Sequence, residues 1–391
     1  LSEELGVPVM VRITTRLAHS RSGVIRKAEL PQKKLVLPDN PSQFILLPSS
    51  ARKRYQSLLS KQDTFEIASE QSKYNSLKIG SDKSLGIIAC GIAYNYLNEN
   101  FQDEKCPYTI LKMSQYPIPK ELMLEMQKHC EEILVLEEGY PVVEELSKGI
   151  FSKKIKVSGR LSGALPRSGE LNADLVSKAL GREDREGPAV PGLVVNRPPA
   201  LCQGCGHQDM YRALNQVMEK YTKGRVFSDI GCYTLGALPP YESIYSCVDM
   251  GASITMAKGA ADAGLIPSLA VIGDSTFTHS GITGLLDAVN DRSNIVVVIS
   301  DNESVSMTGG QDSSALGKIE AICEGVGVKP DHIRVLVPMK KYHDMMVHAF
   351  EEELAYEGVS VLIFRRECIQ AAARRLRKER KMKENPKKMA Q

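Results

Sequence analysis

Two polar turns that follow apolar runs are the first candidates for chemistry. The segment Gly273–Thr276 (Gly-Asp-Ser-Thr) follows a run ending at Ile272, and Asp301–Ser304 (Asp-Asn-Glu-Ser) follows a run ending at Ser300. Their spacing fits one strand–helix–strand crossover, which brings both turns to one edge of a sheet. Carboxylate, amide and carbonyl oxygens suit Mg²⁺ that also binds phosphate. We expect a divalent cation there, although Asp and Asn also commonly cap helices at such positions.

Alternating strands and helices must position these turns. Six stretches of the second half have strand character: Arg225–Ile230, Ser243–Val248, Ser268–Ile272, Asn294–Ser300, Ile333–Val337 and Val359–Phe364. Helical patterns lie between most of them, for example at Ser280–Val289 and Lys341–Tyr356. In the first half we predict strands at Val9–Ile13, from Leu85 and at Glu132–Glu137, and a helix at Val142–Ile150. This order predicts an α/β protein with doubly wound, mostly parallel sheets, whose ligands gather outside the carboxyl ends of the strands.

The composition excludes several classes of protein. The chain has 391 residues, 42% of them hydrophobic, which suits two or three domains with their own cores. No apolar run approaches the roughly 18 residues of a membrane-spanning helix, and no secretory signal is visible. Nine cysteines are too sparse for a disulfide scaffold, so we expect a cytoplasmic protein without membrane contact. The opening residues predict a helix already under way, and we expect the chain to be part of a longer polypeptide.

The charge is concentrated at one end of the chain. Residues 365–391 hold eleven Lys or Arg and three Glu, a net +8, whereas the whole chain carries +3. Such a run could bind nucleic acid, but it lacks interleaved aromatic residues for base stacking. We expect a solvated basic helix and no nucleic-acid partner.

Five further strings lie around the two turns, in order along the chain. They are Leu-Cys-Gln-Gly-Cys-Gly-His (201–207), Ser-Asp-Ile-Gly-Cys-Tyr-Thr-Leu-Gly (228–236), Met-Gly-Ala-Ser (250–253), Phe-Thr-His-Ser-Gly (277–281) and Ser-Met-Thr-Gly-Gly-Gln (306–311). With Gly-Asp-Ser and Asp-Asn, they resemble the signature of thiamine-diphosphate enzymes. More narrowly, the set is similar to the large subunit of indolepyruvate:ferredoxin oxidoreductases.

The resemblance implies a role for each residue at a matching motif position. Mg²⁺ would be held by Asp274, Asn302 and the backbone carbonyl of Ser304. Cofactor contacts would come from these residues and from Cys205, Gly206, His207, Gly231, Cys232, Tyr233, Met250, Gly251, Ala252, Ser253, Gly273, Ser275, Thr276, Val305, Met307 and Thr308. Met250 would be the apolar wedge that bends the cofactor into a V. His279 would face the substrate carboxylate or relay protons. The alternative, a surface or helix-start histidine without a role in the reaction, is equally open.

The resemblance also implies a domain order. Residues 1–36 would end a pyrimidine-binding-type domain, 37–80 would be a helical linker, and 81–158 a transketolase-C-terminal-like α/β domain. A second linker at 159–196 would lead to the domain for the diphosphate and Mg²⁺ at 197–370, followed by a basic tail at 371–391. The family's catalytic glutamate would lie upstream of Leu1, and its cysteine-rich ferredoxin-like domain beyond this sequence.

The implied activity is oxidative decarboxylation of aryl pyruvates to acyl-coenzyme A, through the ylide of thiamine diphosphate. Electrons would pass through iron–sulfur clusters to ferredoxin, and a smaller second subunit would complete an oligomer. Two alternatives remain open. One is a non-oxidative thiamine-diphosphate-dependent 2-oxoacid decarboxylase or carboligase, and the other is a non-catalytic assembly subunit of the same fold.

The cysteines allow one further hypothesis. In related 2-oxoacid:ferredoxin oxidoreductases, a Cys-x-x-Cys pair and a later cysteine bind a 4Fe–4S cluster near the cofactor. Here the matching residues are Cys202, Cys205 and Cys232, with Cys368 as the fourth ligand by analogy and Cys323 as its substitute. Cys205 and Cys232 could instead be small residues that line the diphosphate site.

Overall fold

The computed structural model describes residues 2–25, 47–102, 104–152, 154–182, 190–195, 197–222 and 224–384. The chain forms two compact units, Leu1–Ala189 and Val190–Gln391. The predicted boundary between residues 36 and 37 and the end of the basic tail lie outside the described residues. The other predicted domain limits stay predictions, with the division between the units falling inside the expected linker at 159–196.

The first unit contains a five-stranded sheet with helices around it. Its strands are β1 (Ser76–Lys78), β2 (Asp82–Cys90), β3 (Tyr108–Met113), β4 (Glu132–Leu136) and β5 (Lys156–Ser158), in the order β1-β3-β2-β4-β5. β1 pairs antiparallel with β3, and the other pairs are parallel. Its helices are α1 (Ser2–Leu5), α2 (Thr15–His19), α3 (Pro48–Ser60), α4 (Gln62–Glu70), α5 (Ala93–Glu99), α6 (Lys120–Gln127), α7 (Val142–Ser147) and α8 (Ala173–Ala179).

Two parts of the first unit differ from the expectations. The strand predicted at Val9–Ile13 is wrong, because this segment has no regular structure and Met10 and Val11 are exposed instead of paired in a sheet. The expected linker at 159–196 contributes packed structure, since Leu171 and Val176 are buried in the core of the unit.

The second unit is a six-stranded parallel sheet covered by helices on both faces. Its strands are β6 (Arg225–Ser228), β7 (Ser246–Cys247), β8 (Ser268–Gly273), β9 (Ile295–Asp301), β12 (Ile333–Leu336) and β13 (Val359–Arg365), in the order β12-β13-β9-β8-β6-β7. A separate antiparallel ribbon joins β10 (Ser304–Val305) to β11 (Gln311–Asp312). The helices are α9 (Gly206–Met218), α10 (Ala252–Asp262), α11 (Asp274–Thr276), α12 (Ile282–Asn290), α13 (Ile319–Gly325), α14 (His343–Ala355) and α15 (Ile369–Glu384).

Alternation along the central strands explains the doubly wound arrangement. Val296 and Val298 of β9 pack with α9 and α14, whereas Val297 and Ile299 pack on the opposite face with α10, α12 and α13. Every residue of β8 and β9 is buried, so both strands appear in the sequence as continuous apolar runs. The predicted doubly wound, mostly parallel α/β class is confirmed.

In the described part of the chain, no helix is both long enough and apolar enough to cross a bilayer.

Candidate functional site

Asp274 is a buried carboxylate directly after β8. Its side chain is almost inaccessible to solvent, and among the described residues its Oδ2 atom has no hydrogen-bond partner. Burial raises the pKa of Asp274 to about 6, opposed by hydrogen bonds from the Ser275 backbone and the Ser313 side chain. A buried oxygen without a partner is costly, and a bound cation would remove that cost.

The turn after β9 lies beside Asp274. β8 and β9 are neighbouring parallel strands with Gly273 opposite Ser300, so their carboxyl ends reach the same edge of the sheet. The antiparallel ribbon that begins at Ser304 follows this turn. The two polar turns singled out by their spacing are therefore neighbours in the fold.

Side chains of the turn itself fix its shape. The Asn302 side-chain oxygen accepts a 3.1 Å hydrogen bond from the Ser304 backbone N–H. Between them, Glu303 has a left-handed backbone with φ of 58°, which non-glycine residues adopt seldom. The Ser304 carbonyl accepts a 3.4 Å hydrogen bond from the Ser306 hydroxyl.

These groups fit a magnesium ion shared with phosphate. Asp274 offers a carboxylate oxygen that has no partner among the described residues, and Asn302 and Ser304 offer an amide and a carbonyl oxygen from the adjacent turn. Mg²⁺ in proteins typically takes one or two carboxylates and completes its shell with phosphate and water. Within the described ranges, no three His, Cys, Asp or Glu side chains could hold a metal by themselves.

Asp229, after β6, connects three parts of the site. It is fully buried and accepts hydrogen bonds from the Ser253 hydroxyl (2.6 Å), the Ser253 backbone (3.3 Å) and the Tyr233 hydroxyl. Burial raises the pKa of Asp229, and the hydrogen bonds from Ser253 and Tyr233 oppose that shift. No sequence motif singles out Asp229, because only the fold shows that donors from separate segments converge on it.

Tyr233 packs between two glycines of the site. A Cβ atom at Gly273 would lie 2.5 Å from the Tyr233 ring, and one at Gly231 would also overlap the ring. The Thr276 hydroxyl donates to the Ile230 carbonyl at 3.3 Å. Two expected cofactor segments, the one around Gly231 and the turn Gly273–Thr276, are thus in contact.

The two predicted catalytic residues are joined through Ser280. The Ser280 hydroxyl donates to the Met250 carbonyl at 2.7 Å and lies 3.0 Å from Nδ1 of His279. Met250 is 40% exposed and His279 is exposed, so both side chains are open to a ligand. His279 lies in a π-helical turn, Phe277–Gly281, a geometry frequent at functional sites.

Gly251 is required by its conformation and its surroundings. Its φ is 95°, and a Cβ atom there would overlap the Ser280 side chain. We expect Gly251→Ala to displace Met250 and to weaken cofactor binding by about tenfold or more, since a misplaced binding loop has effects of that size. Calorimetric titration would measure it, with Gly259→Ala as the control, because a Cβ at Gly259 meets no atom within 4 Å. Equal affinity of both variants would contradict the assignment.

His207 is buried beside Cys205, with its Nδ1 atom 3.0 Å from the cysteine sulfur. Burial lowers the pKa of His207 to about 4 and raises the pKa of the Cys205 thiol to about 11, so neither is charged at neutral pH. His207 could therefore contact a diphosphate by a hydrogen bond and not by a full charge.

The cysteines expected to bind a cluster line a cavity of about 130 Å³. Its lining includes Cys202, Cys205, Cys232 and Cys368, together with Asn302 of the metal turn. Cys323, the substitute ligand, is instead buried in the core beneath the sheet. The four cysteines share one cavity but do not form a ready metal site in the described structure.

The remaining expected cofactor residues differ in exposure. Ser253, Thr276 and Ser304 are buried, whereas Met307 and Thr308 are exposed on the turn between β10 and β11. The expected residues near the carboxyl edge of the sheet thus include both buried and exposed side chains.

Comparisons with known proteins show which proteins the chain is similar to. Residues 229–364 match the family "Thiamine pyrophosphate enzyme, C-terminal TPP binding domain". The indolepyruvate oxidoreductase subunit IorA of Archaeoglobus fulgidus is 33% identical over 98% of this chain and 64% of its own length. The IorA subunits of Methanothermobacter marburgensis and Pyrococcus horikoshii are 34% and 32% identical, over 94% and 97% of this chain and 63% and 65% of their own lengths. The chain thus spans slightly less than two thirds of these relatives.

Proposed function

Because the chain is homologous to indolepyruvate oxidoreductase subunits and carries a thiamine pyrophosphate enzyme domain, we propose that it binds thiamine diphosphate with Mg²⁺ and takes part in 2-oxoacid oxidation. The observation that carries the proposal is the Oδ2 atom of buried Asp274, which has no hydrogen-bond partner in the described part of the chain and lies beside the turn of Asn302 and Ser304. This pair of turns lies inside the matched domain.

Each segment of the site has a task in this proposal. Asp274, Asn302 and Ser304 would hold the metal, and His207, Gly231 and Thr276 would contact the diphosphate. Thiamine diphosphate, when bound, supplies a carbanion that attacks the 2-oxo carbon and a ring that accepts the electron pair left by carbon dioxide. Met250 would press against the cofactor, and Ser280 would hold the Met250 carbonyl and the His279 ring in fixed positions.

The specific reaction that we propose is oxidation of aryl pyruvates to acyl-coenzyme A, with ferredoxin as the electron acceptor. A smaller subunit would be the partner in a cytoplasmic oligomer. The name of the relatives, indolepyruvate oxidoreductase subunit, supports the substrate class and the partner subunit, and the motif resemblance supports coenzyme A and ferredoxin. The test is anaerobic reduction of ferredoxin by the full-length protein with its partner subunit, using indolepyruvate, coenzyme A, thiamine diphosphate and Mg²⁺. Acyl-coenzyme A formation that depends on an acceptor supports the proposal.

Other outcomes of this assay separate the alternatives. Aldehyde release without an electron acceptor would favour a non-oxidative decarboxylase. Failure of the full-length protein to bind thiamine diphosphate and Mg²⁺ in calorimetry would favour an assembly subunit. Both results would count against the proposal.

We also propose a 4Fe–4S cluster at Cys202, Cys205, Cys232 and Cys368, since all four line one cavity. Anaerobically purified protein should contain iron and labile sulfide, and Cys202→Ser should lose about four of each per chain, the content of one 4Fe–4S cluster. Cys247→Ser is the matched control, because Cys247 is also exposed but does not line the cavity. Equal iron content in Cys202→Ser and the wild type would refute the cluster.

Metal binding should weaken below about pH 6. Asp274 must be ionised to hold a cation, and its pKa is raised to about 6, so protons compete with the metal below that value. From pH 7 to pH 5 we expect the affinity for Mn²⁺ to fall about tenfold, as one competing proton requires. Electron paramagnetic resonance of Mn²⁺ added alone measures this without the titrating phosphates of the cofactor. A constant affinity would show that Asp274 is not a ligand.

A further inference from the structure

An ion-pair network lies directly behind the metal turn. Arg365, the last residue of β13, donates from Nε to Oδ2 of Asp301 at 2.6 Å. Its two Nη groups donate to the two carboxylate oxygens of Glu320, at 2.7 and 2.8 Å. Asp301 is 2% exposed, so its charge is neutralised by this arginine and not by water.

The network continues from Asp301 into the turn. Oδ1 of Asp301 accepts a 3.2 Å hydrogen bond from the backbone N–H of Glu303, the residue with left-handed φ. The backbone after Arg365 adds two contacts, from Arg366 to the Asp301 carbonyl (2.9 Å) and from Cys368 to the Asn302 carbonyl (3.0 Å). The turn is therefore fixed on one side by a carboxylate that Arg365 itself orients.

We propose that Arg365, backed by Glu320, is a positioning residue for the metal turn. By fixing Asp301, it keeps Glu303 in its strained conformation and so places Asn302 and Ser304 beside Asp274. The inference rests on the proposed metal site. It adds two residues outside the motif strings, one of them on α13.

The geometry of the network requires arginine. Arg365 uses three N–H donors in one plane, one toward Asp301 and two toward Glu320, and a lysine ammonium cannot reproduce that fork. Lysine would still supply the positive charge. Arg365→Lys therefore separates a need for orientation from a need for charge alone.

The experiment measures binding of Mn²⁺ and thiamine diphosphate to the full-length protein. Electron paramagnetic resonance measures Mn²⁺ binding. Arg365→Met should weaken this binding by about 10- to 100-fold, the usual effect of losing an outer-shell partner of a metal. Arg365→Lys should recover only a small part of this loss. Arg334→Met is the control. Arg334 lies on β12 and pairs with Glu352 and Glu353 of α14, so this variant should leave the affinity for Mn²⁺ unchanged.

Each outcome decides between the explanations. Wild-type affinity in Arg365→Met, or full recovery in Arg365→Lys, would overturn a positioning role. Absence of binding by the wild type would refute the metal site itself. If Arg365→Met does not fold, Glu320→Gln decides, with Glu352→Gln as its control. Weaker Mn²⁺ binding in Glu320→Gln alone supports the inference, and equal binding in both variants overturns it.

Discussion

Replacement of Asp274 by alanine should abolish retention of thiamine diphosphate. The change removes the carboxylate of the proposed metal set, so the loss of affinity should exceed the roughly 10- to 100-fold effect of losing an outer-shell partner. The variant also removes the acceptor of the Ser275 backbone N–H and the Ser313 hydroxyl, so circular dichroism must show that the variant is folded before the titration is interpreted. Calorimetric titration with thiamine diphosphate at saturating Mg²⁺ measures the effect.

The control for this variant is Asp287→Ala. Asp287 lies on α12 of the same unit, is mostly exposed, and approaches Lys258 at 3.6 Å. Its replacement should leave cofactor affinity unchanged. Retention by Asp274→Ala at the level of Asp287→Ala would contradict the assignment of the metal site.

Replacement of Asp229 by asparagine should lower stability strongly. The variant keeps the size of the side chain but turns one acceptor oxygen into an NH₂ group, which would face the donors of Ser253 or Tyr233. At least one buried donor would lose its partner, so we expect the free energy of unfolding to fall by about 2–3 kcal/mol. Urea unfolding followed by circular dichroism measures this change.

The same variant should also affect the site. Asp229 joins the turn of Tyr233 to the start of α10 at Ser253, so cofactor affinity should fall even where the protein remains folded. Asp287→Asn at the exposed position should change stability by less than about 0.5 kcal/mol, as is usual for surface substitutions. Equal stability of the two variants would show that the Asp229 network is dispensable.

Much of the second unit could be predicted because its central strands β8, β9 and β13 are buried on both faces. The apolar runs ending at Ile272, Ser300 and Phe364 became β8, β9 and β13 within about one residue. In the first unit, the short strand β5 and the half-exposed strand β1 carry no such run, so their apolar pattern did not indicate them. Val9–Ile13 has a strand-like composition, but no described strand pairs with it.

The motif positions were predictable, but the groups that fix them were not. Gly-Asp-Ser and Asp-Asn are local strings, and parallel strands bring them to one edge of the sheet. Arg365 opens the basic run at 365–391, and its charge in the sequence gives no sign that it pairs with Asp301 and Glu320. Such pairs join residues 45 and 64 positions apart in the chain, and only the register of β13 on β9 places them together.

Crystallography of the full-length protein with thiamine diphosphate and Mn²⁺ tests the metal site most directly. Data collected at the manganese absorption edge should give an anomalous peak about 2.1–2.3 Å from one Asp274 carboxylate oxygen, the Asn302 amide oxygen and the Ser304 carbonyl. The diphosphate should complete the coordination shell. A peak at any other set of residues, or bound cofactor without a peak at this edge of the sheet, would contradict the account.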